Sequence, residues 1–146
     1  MSAVETDDAI RTILESFDRI FVRVRRRVRF AAAELGDDVQ PAAWPVFREV
    51  IRAGRVQASA LVTTLGMDKS AVSRHLKELR AHGLVAAERD PADARIAWLS
   101  PTPLAHERLA TITEAELARL RSLVESWPAE DVQRFSDLLA RFSYPD

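Results

Sequence analysis

Residues 68–83 read DKSAVSRHLKELRAHG. Val72, Leu76 and Leu79 recur at spacings of three and four residues, which predicts one apolar stripe along an amphipathic helix. Gly83 predicts the end of that helix, because glycine readily adopts the left-handed backbone of a C-cap. The other face is polar and mainly basic, and it consists of Lys69, Ser70, Ser73, Arg74, Lys77 and Arg80.

A shorter helix is predicted just before this one, from Ala58 to Leu65. Gly66 ends it, and Asp68 and Ser70 then offer side-chain oxygens to the free amides at the start of the second helix. Two helices joined by a tight turn are typical of a helix-turn-helix, whose second helix enters the major groove of B-DNA with its N-terminal residues at the base edges. On the helices alone, a small helical domain with a solvated second helix is the favoured alternative.

The segment that follows favours the DNA-binding interpretation, because it predicts a β-hairpin. Residues 84–89 (LVAAER) and 95–99 (RIAWL) have the composition of two strands. Asp90 and Pro91 break regular structure between them, since a residue before proline is disfavoured in a helix. Helix, turn, helix and hairpin in this order predict a winged helix-turn-helix.

The second strand and the hairpin tip supply further expectations. Ile96 and Trp98 alternate with their neighbours, which predicts a half-buried strand. Arg95 is expected to enter a narrow minor groove, held by a bidentate pair with Asp93. The alternative is an ordinary hairpin with a surface ion pair, which contributes little energy. Residues 55–57 predict a short third strand beside the hairpin.

This segment resembles the MarR family of bacterial transcription regulators. The recognition helix of that family commonly reads Asp, three variable residues, Val or Leu, Ser or Thr, Arg, and then a leucine-spaced stripe that ends in Gly-Leu/Trp-Val. Its wing usually carries Asp-Pro-x-Asp-x-Arg, and a Thr-Pro opens the next helix. The matching residues are Asp68, Val72, Ser73, Arg74, Leu76, Leu79, Gly83, Leu84 and Val85 in the helix, Asp90, Pro91, Asp93 and Arg95 in the wing, and Thr102 and Pro103 after it.

Four positions depart from the family pattern. Ala87 stands where an arginine is common, and Ala94 stands where a basic residue is frequent at the wing tip. Pro101 replaces the usual leucine before the threonine, and Ala105 replaces a glycine. The wing therefore carries fewer cations than in many members of the family.

The resemblance implies a transcription repressor that binds a pseudo-palindromic operator in double-stranded DNA as a homodimer. Gln57 and Ser59, at the start of the first short helix, are expected at phosphates. The residues expected to contact DNA are Lys69, Ser70, Ser73, Arg74 and Lys77 in the recognition helix, and Arg89, Asp93 and Arg95 in the wing.

The resemblance also implies a small aromatic or anionic effector, because such relatives often bind these ligands between the dimer helices and the winged unit. Phe21, Arg25, Trp44 and Phe47 are the candidate lining, since ligand pockets combine aromatic walls with a fixed charge. The alternative is that the aromatic residues are core and Arg25 is solvated, and we favour it.

Long helices are predicted on both sides of the winged unit, which gives a mainly α fold with a small β-hairpin wing. One runs from about Asp7 to Leu35, and a second begins at Pro41 and continues through Ala53. Two more are expected over 103–126 and 130–142. We therefore expect one domain over residues 1–146, with dimerisation helices in 1–38 and 103–146 and the DNA-binding unit in 41–102.

Composition limits the other classes of function. No apolar run is long enough for a membrane span, no signal peptide is evident, and there is no cysteine, so a cytoplasmic protein without disulfides or thiolate metal sites is expected. The net charge is −1 over 146 residues, yet cations concentrate in residues 19–29 and 69–80. The arginine run at 23–29 resembles a localisation signal, but valines interrupt it at helical spacing, which favours a solvated helix face.

No catalytic constellation is present, so we expect neither an enzyme nor a cofactor. His75, Glu78 and His82 share a helix face and loosely suggest metal ligands. A phosphate contact or a solvated histidine is the favoured interpretation of His75, and no metal site is expected. The main rival function is a winged protein-interaction module that has lost specific DNA binding, which the depleted wing and near-neutral charge favour slightly. An enzyme built on the same scaffold is a weaker third.

Overall fold

The computed structural model describes residues 3–93 and 95–143. It confirms a mainly helical fold with a small sheet. The chain divides into two compact units, Met1–Leu109 and Ala110–Asp146. In chain order the elements are α1 (Ala3–Leu35), a 3-10 turn (Pro41–Ala43), α2 (Trp44–Ala53), β1 (Val56–Gln57), α3 (Ala58–Leu65), α4 (Lys69–Ala81), β2 (Val85–Arg89), β3 (Ala97–Pro101), α5 (Pro103–Val124) and α6 (Ala129–Ser143).

The apolar core of the winged unit comes from α2, α3, α4 and the residue before β2. The predicted stripe of α4 faces this core, with Val72, Leu76 and Leu79 buried. A helix with one buried stripe must present its other side outward, so the burial of these residues fixes which face of α4 is exposed. The largest fully buried side chains are Val46, Phe47, Val50, Leu61, Val72, Leu79 and Leu84.

The turn between α3 and α4 follows the predicted glycine signal but not the predicted side-chain cap. Gly66 ends α3 in the left-handed conformation, with φ of 60°. Asp68 is the N-cap of α4 and has extended backbone, but its side chain makes no capping hydrogen bond. The expected cap from Asp68 is therefore wrong, and its backbone carbonyl instead accepts from the amide of Val72 at 3.0 Å.

The end of α4 is closed by backbone hydrogen bonds around Gly83. The amide of Leu84 donates to the carbonyl of Leu79 at 3.0 Å, and Gly83 has φ of 69°. This is the backbone arrangement in which a helix stops and the chain reverses, and it requires a positive φ that glycine adopts without strain. Thr102 then ties the far end of the hairpin to this turn, because its hydroxyl donates to the Gly83 carbonyl at 2.6 Å and accepts from the Ala105 amide at 3.2 Å.

The sheet has three antiparallel strands in the order β1-β3-β2. It includes the short third strand that the sequence predicts. The strand β3 begins at Ala97 rather than at Arg95, because Arg95 and Ile96 belong to the hairpin tip. The amide of Asp90 donates to the Ile96 carbonyl and the amide of Ile96 donates to the Asp93 carbonyl, each at 2.9 Å.

Burial in β3 is centred on one residue. Leu99 is buried, whereas Ile96 and Trp98 are only half-buried. Leu99 pairs with Ala87 on one side and Val56 on the other, so it occupies the centre of the sheet. The burial pattern of β3 is not a strict alternation, because Ala97, on the same face as Leu99, is exposed.

Candidate nucleic-acid interface

The exposed side of α4 carries the residues predicted to contact DNA. The N-terminal half of α4 carries two short hydroxyl side chains, Ser70 and Ser73, which would let a partner molecule come close to the helix backbone. All five predicted side chains, Lys69, Ser70, Ser73, Arg74 and Lys77, belong to exposed residues. They lie on the side of the helix opposite Val72 and Leu79, so the structure brings them together on one face; DNA contact by this face remains a prediction.

Ser59 lies beside this face, across a groove between α3 and α4. The groove has a volume of about 690 Å³, and its rim includes Ser59, Lys69, Ser73, Lys77 and Arg80. Arg80, which the sequence places on the polar face without a predicted DNA contact, completes the cationic rim. Gln57, the other residue expected at phosphates, is half-buried at the N-cap of α3.

Arg95 lies at the wing tip and points into solvent. Its side chain is 94% exposed. The expected bidentate pair with Asp93 is wrong, because the structure gives a single contact of 3.6 Å between Nε of Arg95 and Oδ1 of Asp93. Asp93 instead accepts a hydrogen bond from the backbone amide of Arg95 at 3.0 Å, which shapes the loop. Arg89, at the end of β2, is exposed, and Ala94 lies outside the described residues.

The wing is held by Asp90, a role that sequence reasoning missed. The indole Nε1 of Trp98 donates to Oδ2 of Asp90 at 2.8 Å, and the amides of Ala92 and Asp93 donate to Oδ1 at 2.8 and 3.3 Å. The guanidinium of Arg55 lies 4.3 Å from the centre of the Trp98 ring, within the range of a cation–π interaction. The sequence does contain a signal for this role, because the side chain of an aspartate at the start of a turn often accepts a hydrogen bond from the backbone amide two residues later.

These hydrogen bonds lower the pKa of the Asp90 carboxyl. The largest cause is the indole donor of Trp98, followed by the amides of Ala92 and Asp93, and the charge of Arg55 adds to them. Partial desolvation opposes the shift but does not overcome it. Each donor favours the charged carboxylate, so Asp90 is an ionised anchor at the base of the tip.

Two histidines at one edge of the buried stripe of α4, His75 and the C-cap residue His82, have acidic partners; we call this edge the inner flank of α4. His75 is buried, so the expectation of a solvated or phosphate-bound His75 is wrong; Nδ1 of this ring lies 3.3 Å from Oε2 of Glu78. Nε2 of His82 lies 2.7 Å from Oδ1 of Asp38. Within residues 3–93 and 95–143, no group of three or more His, Cys, Asp or Glu side chains is arranged to hold a metal ion.

The four residues considered for an effector pocket lie in different settings. Phe47 is a core residue, and Trp44 stacks on it with a centroid distance of 5.6 Å. Phe21 is exposed on α1. Arg25 does border a groove of about 430 Å³ between α1 and the 3-10 turn, which is lined by Val24, Arg25, Val28, Arg29, Pro41 and Ala42.

Two comparisons of sequence bear on this geometry. Residues 37–96 match the sequence model of the MarR family. A Bacillus subtilis (strain 168) protein described as the uncharacterized HTH-type transcriptional regulator YdgJ is 30% identical over 89 residues, which make up 61% of this chain and 54% of that protein. The match thus spans about half the length of that relative.

Solved structures share the fold at low identity. The chain is similar to the YusO protein from Bacillus subtilis, with a TM-score of 0.75, 18% identity and 100% of both chains covered. It is also similar to a MarR family protein from Bacillus stearothermophilus, with a TM-score of 0.76, 14% identity, and coverage of 98% of this chain and 96% of that one. None of the helices within residues 3–93 and 95–143 combines the length and apolar character needed to cross a membrane.

Proposed function

We propose that this chain, whose residues 37–96 match the sequence model of the MarR family, is a transcription regulator of that family that binds a specific DNA operator as a homodimer and represses transcription. Proteins of this family are transcription regulators and not enzymes. The proposal treats 41–102 as the DNA-binding unit and 1–38 and 103–146 as dimerisation helices.

The observation that carries the proposal is the exposed face of α4. Arg74 has the reach and donor geometry to bind a guanine edge, while Lys69 and Lys77 are suited to phosphates. The buried stripe holds the helix, so these side chains are presented from a rigid element. Arg89 and Arg95 extend the cationic surface into the wing, with Arg95 placed for a narrow minor groove.

Exposed apolar side chains support dimerisation. In the first unit, Leu14 and Phe30 of α1 are 62% and 67% exposed, and in the second unit Phe142 of α6 is 63% exposed. Large exposed apolar patches mark protein interfaces. The exposed apolar residues of α1 and α6 include Ile10, Ile13, Leu14, Ile20, Phe21, Val22, Phe30, Phe135, Leu138, Leu139 and Phe142.

A two-fold dimer fixes the form of the DNA site. Two copies of α4 related by a two-fold axis meet successive major grooves when they are separated by about 34–36 Å, or 10–10.5 base pairs. The operator is therefore expected to be a pseudo-palindrome with this half-site spacing.

The groove beside Arg25 is our candidate effector site. Its apolar walls and two arginines, Arg25 and Arg29, suit a small aromatic acid, and its volume lies in the range of ligand pockets. Bound ligand would weaken DNA binding only if it prefers a dimer with a different separation of the two winged units. The assignment would be contradicted if a small aromatic acid neither bound the protein nor lowered its affinity for the operator.

Arg74→Ala tests the proposed recognition face. The change removes one base-edge contact worth about 1–3 kcal/mol at each half-site. Because a homodimer has two copies of Arg74, the full operator should lose at least about 30-fold in affinity. The measurement is titration of labelled operator DNA with the wild-type protein and the variant.

Arg52→Ala is the matched control, since Arg52 is an exposed arginine of α2, outside α4, the wing and the proposed dimerisation helices. It should bind the operator as the wild-type protein does. Normal binding by Arg74→Ala would show that the recognition face is misassigned. No sequence-selective binding by the wild-type protein would favour the protein-interaction module instead.

A further inference from the structure

The flank of α4 is joined by polar contacts to the connector between α1 and the 3-10 turn. Oε1 of Glu78 accepts a hydrogen bond from the backbone amide of Gln40 at 2.8 Å. The other carboxylate oxygen, Oε2, lies 3.3 Å from Nδ1 of His75. The side chains of Glu78 and His75 are only 17% and 4% exposed, so water has little access to the contact between them.

His82 makes the next contact with the same connector, one helical turn further along α4. Its Nε2 lies 2.7 Å from Oδ1 of Asp38, and its ring lies against Gly36. A Cβ on Gly36 would come within 2.5 Å of that ring, so only glycine leaves room for it. Glu78 and His82 are four residues apart, which places them on one side of the helix.

These contacts tie α4 to the end of α1 independently of its packing against α3. The connector begins where α1 ends at Leu35, which is itself buried. A backbone amide has a fixed direction, so the carboxylate that accepts from it restricts the rotation of α4 about its own axis. At 3.6 residues per turn, Glu78 lies on the flank between the buried stripe and the exposed face that carries Arg74.

We propose that Glu78 is a positioning residue that sets the orientation of α4 relative to α1, and through it the half-site spacing that the protein accepts. This inference rests on the proposed function, because spacing has meaning only for a dimer that binds two half-sites. If α1 lies at the dimer interface, a fixed angle between α1 and α4 fixes the separation of the two α4 helices. Glu78 contributes no contact to DNA itself.

The test measures affinity as a function of half-site spacing. Half-sites are taken from an operator that the full-length wild-type protein selects from random duplexes. Further duplexes are then made in which the spacer between the half-sites is lengthened or shortened by one or two base pairs, which gives five spacings with the original. Two base pairs displace a half-site by about 7 Å along the DNA and by about 70° around it. The wild-type protein should therefore bind at least about tenfold more weakly at this displacement.

Three variants separate positioning from other roles. Glu78→Ala should change the dependence of affinity on spacing. Either the affinities at the five spacings agree within about threefold, or the spacing that is bound most tightly differs from that of the wild-type protein. Glu78→Gln should restore the wild-type profile, because the amide oxygen still accepts from Gln40. Lys77→Ala, which removes a proposed phosphate contact, should weaken binding by the same factor at every spacing.

The outcomes are distinct. A Glu78→Ala profile with the wild-type shape, scaled by one factor, would show that Glu78 only supports folding and would overturn the inference. A Glu78→Gln protein that behaves like Glu78→Ala would overturn it as well. Glu78→Asp, which keeps the charge and shortens the reach, replaces Glu78→Ala if thermal unfolding shows that the alanine variant is unfolded. A wild-type protein that selects no operator refutes the proposed function itself.

Discussion

Gly36→Ala tests the contact between the connector and α4 through stability. The added Cβ would lie 2.5 Å from Cε1 and Nδ1 of His82 and 3.1 Å from its Cγ. Carbon atoms in favourable contact are about 3.5–4.0 Å apart. The His82 ring must therefore move, and moving it sacrifices its contact with Asp38 and its packing on the connector.

The sign of the effect follows from two opposing terms. Gly36 does not have a positive φ, so alanine is conformationally acceptable there and by itself would stabilise the protein by about 0.4–1 kcal/mol through the unfolded chain. Overpacking costs about 1–3 kcal/mol. The second term is larger, and Gly36→Ala should lower the free energy of unfolding by about 0.5–2 kcal/mol.

The assay is urea unfolding at one fixed protein concentration, in the wild-type and His82→Ala backgrounds. Without the ring the clash disappears, so Gly36→Ala should stabilise the His82→Ala protein by about 0.4–1 kcal/mol. Gly54→Ala is the control, because Gly54 has φ of 68° and nothing within 4 Å of its added Cβ. That control should destabilise both backgrounds equally. Stabilisation of the wild-type protein by Gly36→Ala would refute the packing described here.

Two further predictions concern the wing and the dimer. Asp90 has a lowered pKa, so its contribution to stability is present above the unfolded value of about 3.9 and is lost as the pH falls through the folded value. A Trp44→Phe/Trp127→Phe protein keeps Trp98 as its one tryptophan, and the fluorescence of Trp98 should therefore change below about pH 4. Adding Asp90→Asn to this protein should abolish the change. The same pH dependence of fluorescence with and without Asp90→Asn would contradict the role of Asp90. Leu14→Glu places a charge on the exposed apolar face of α1 and should weaken the dimer. Sedimentation should then show a higher dimer dissociation constant than for the wild-type protein. An unchanged dissociation constant would exclude Leu14 from the interface.

The recognition helix could be predicted from sequence because its pattern is local. Val72, Leu76 and Leu79 follow the helical period, so burying them also determines that Ser73 and Arg74 are exposed. The same local logic predicted the end of α4 at Gly83. These features depend on residues within one or two turns of each other.

The wing tip was only partly predictable, because side-chain hydrogen bonds decide where its second strand begins. Asp90 accepts from the amides of Ala92 and Asp93, which folds the residues before Ala97 into the tip. The strand then starts two residues late, and Leu99 becomes the buried residue of β3. Alternation alone gives the period of a strand but not which set of residues faces the core.

The contacts between the inner flank of α4 and the connector could not be predicted from the sequence. Glu78 and Gln40 are 38 residues apart in the chain, and nothing in either local pattern links them. His75 looked like part of a solvated face because it is polar, yet its pairing with Glu78 satisfies the ring nitrogen and permits burial. A contact between distant residues requires the tertiary structure.

Binding of the purified full-length protein to genomic DNA fragments across a salt series tests the central claim most directly. Five cations in each protomer, Lys69, Arg74, Lys77, Arg89 and Arg95, lie on the proposed DNA surface. If most of them neutralise phosphates in a dimer, affinity for the preferred fragment should fall about 10³–10⁵-fold between 50 and 200 mM salt. One or a few fragments should still be bound in preference to the rest. Weak binding with no preferred fragment, or binding that does not respond to salt, would contradict the account.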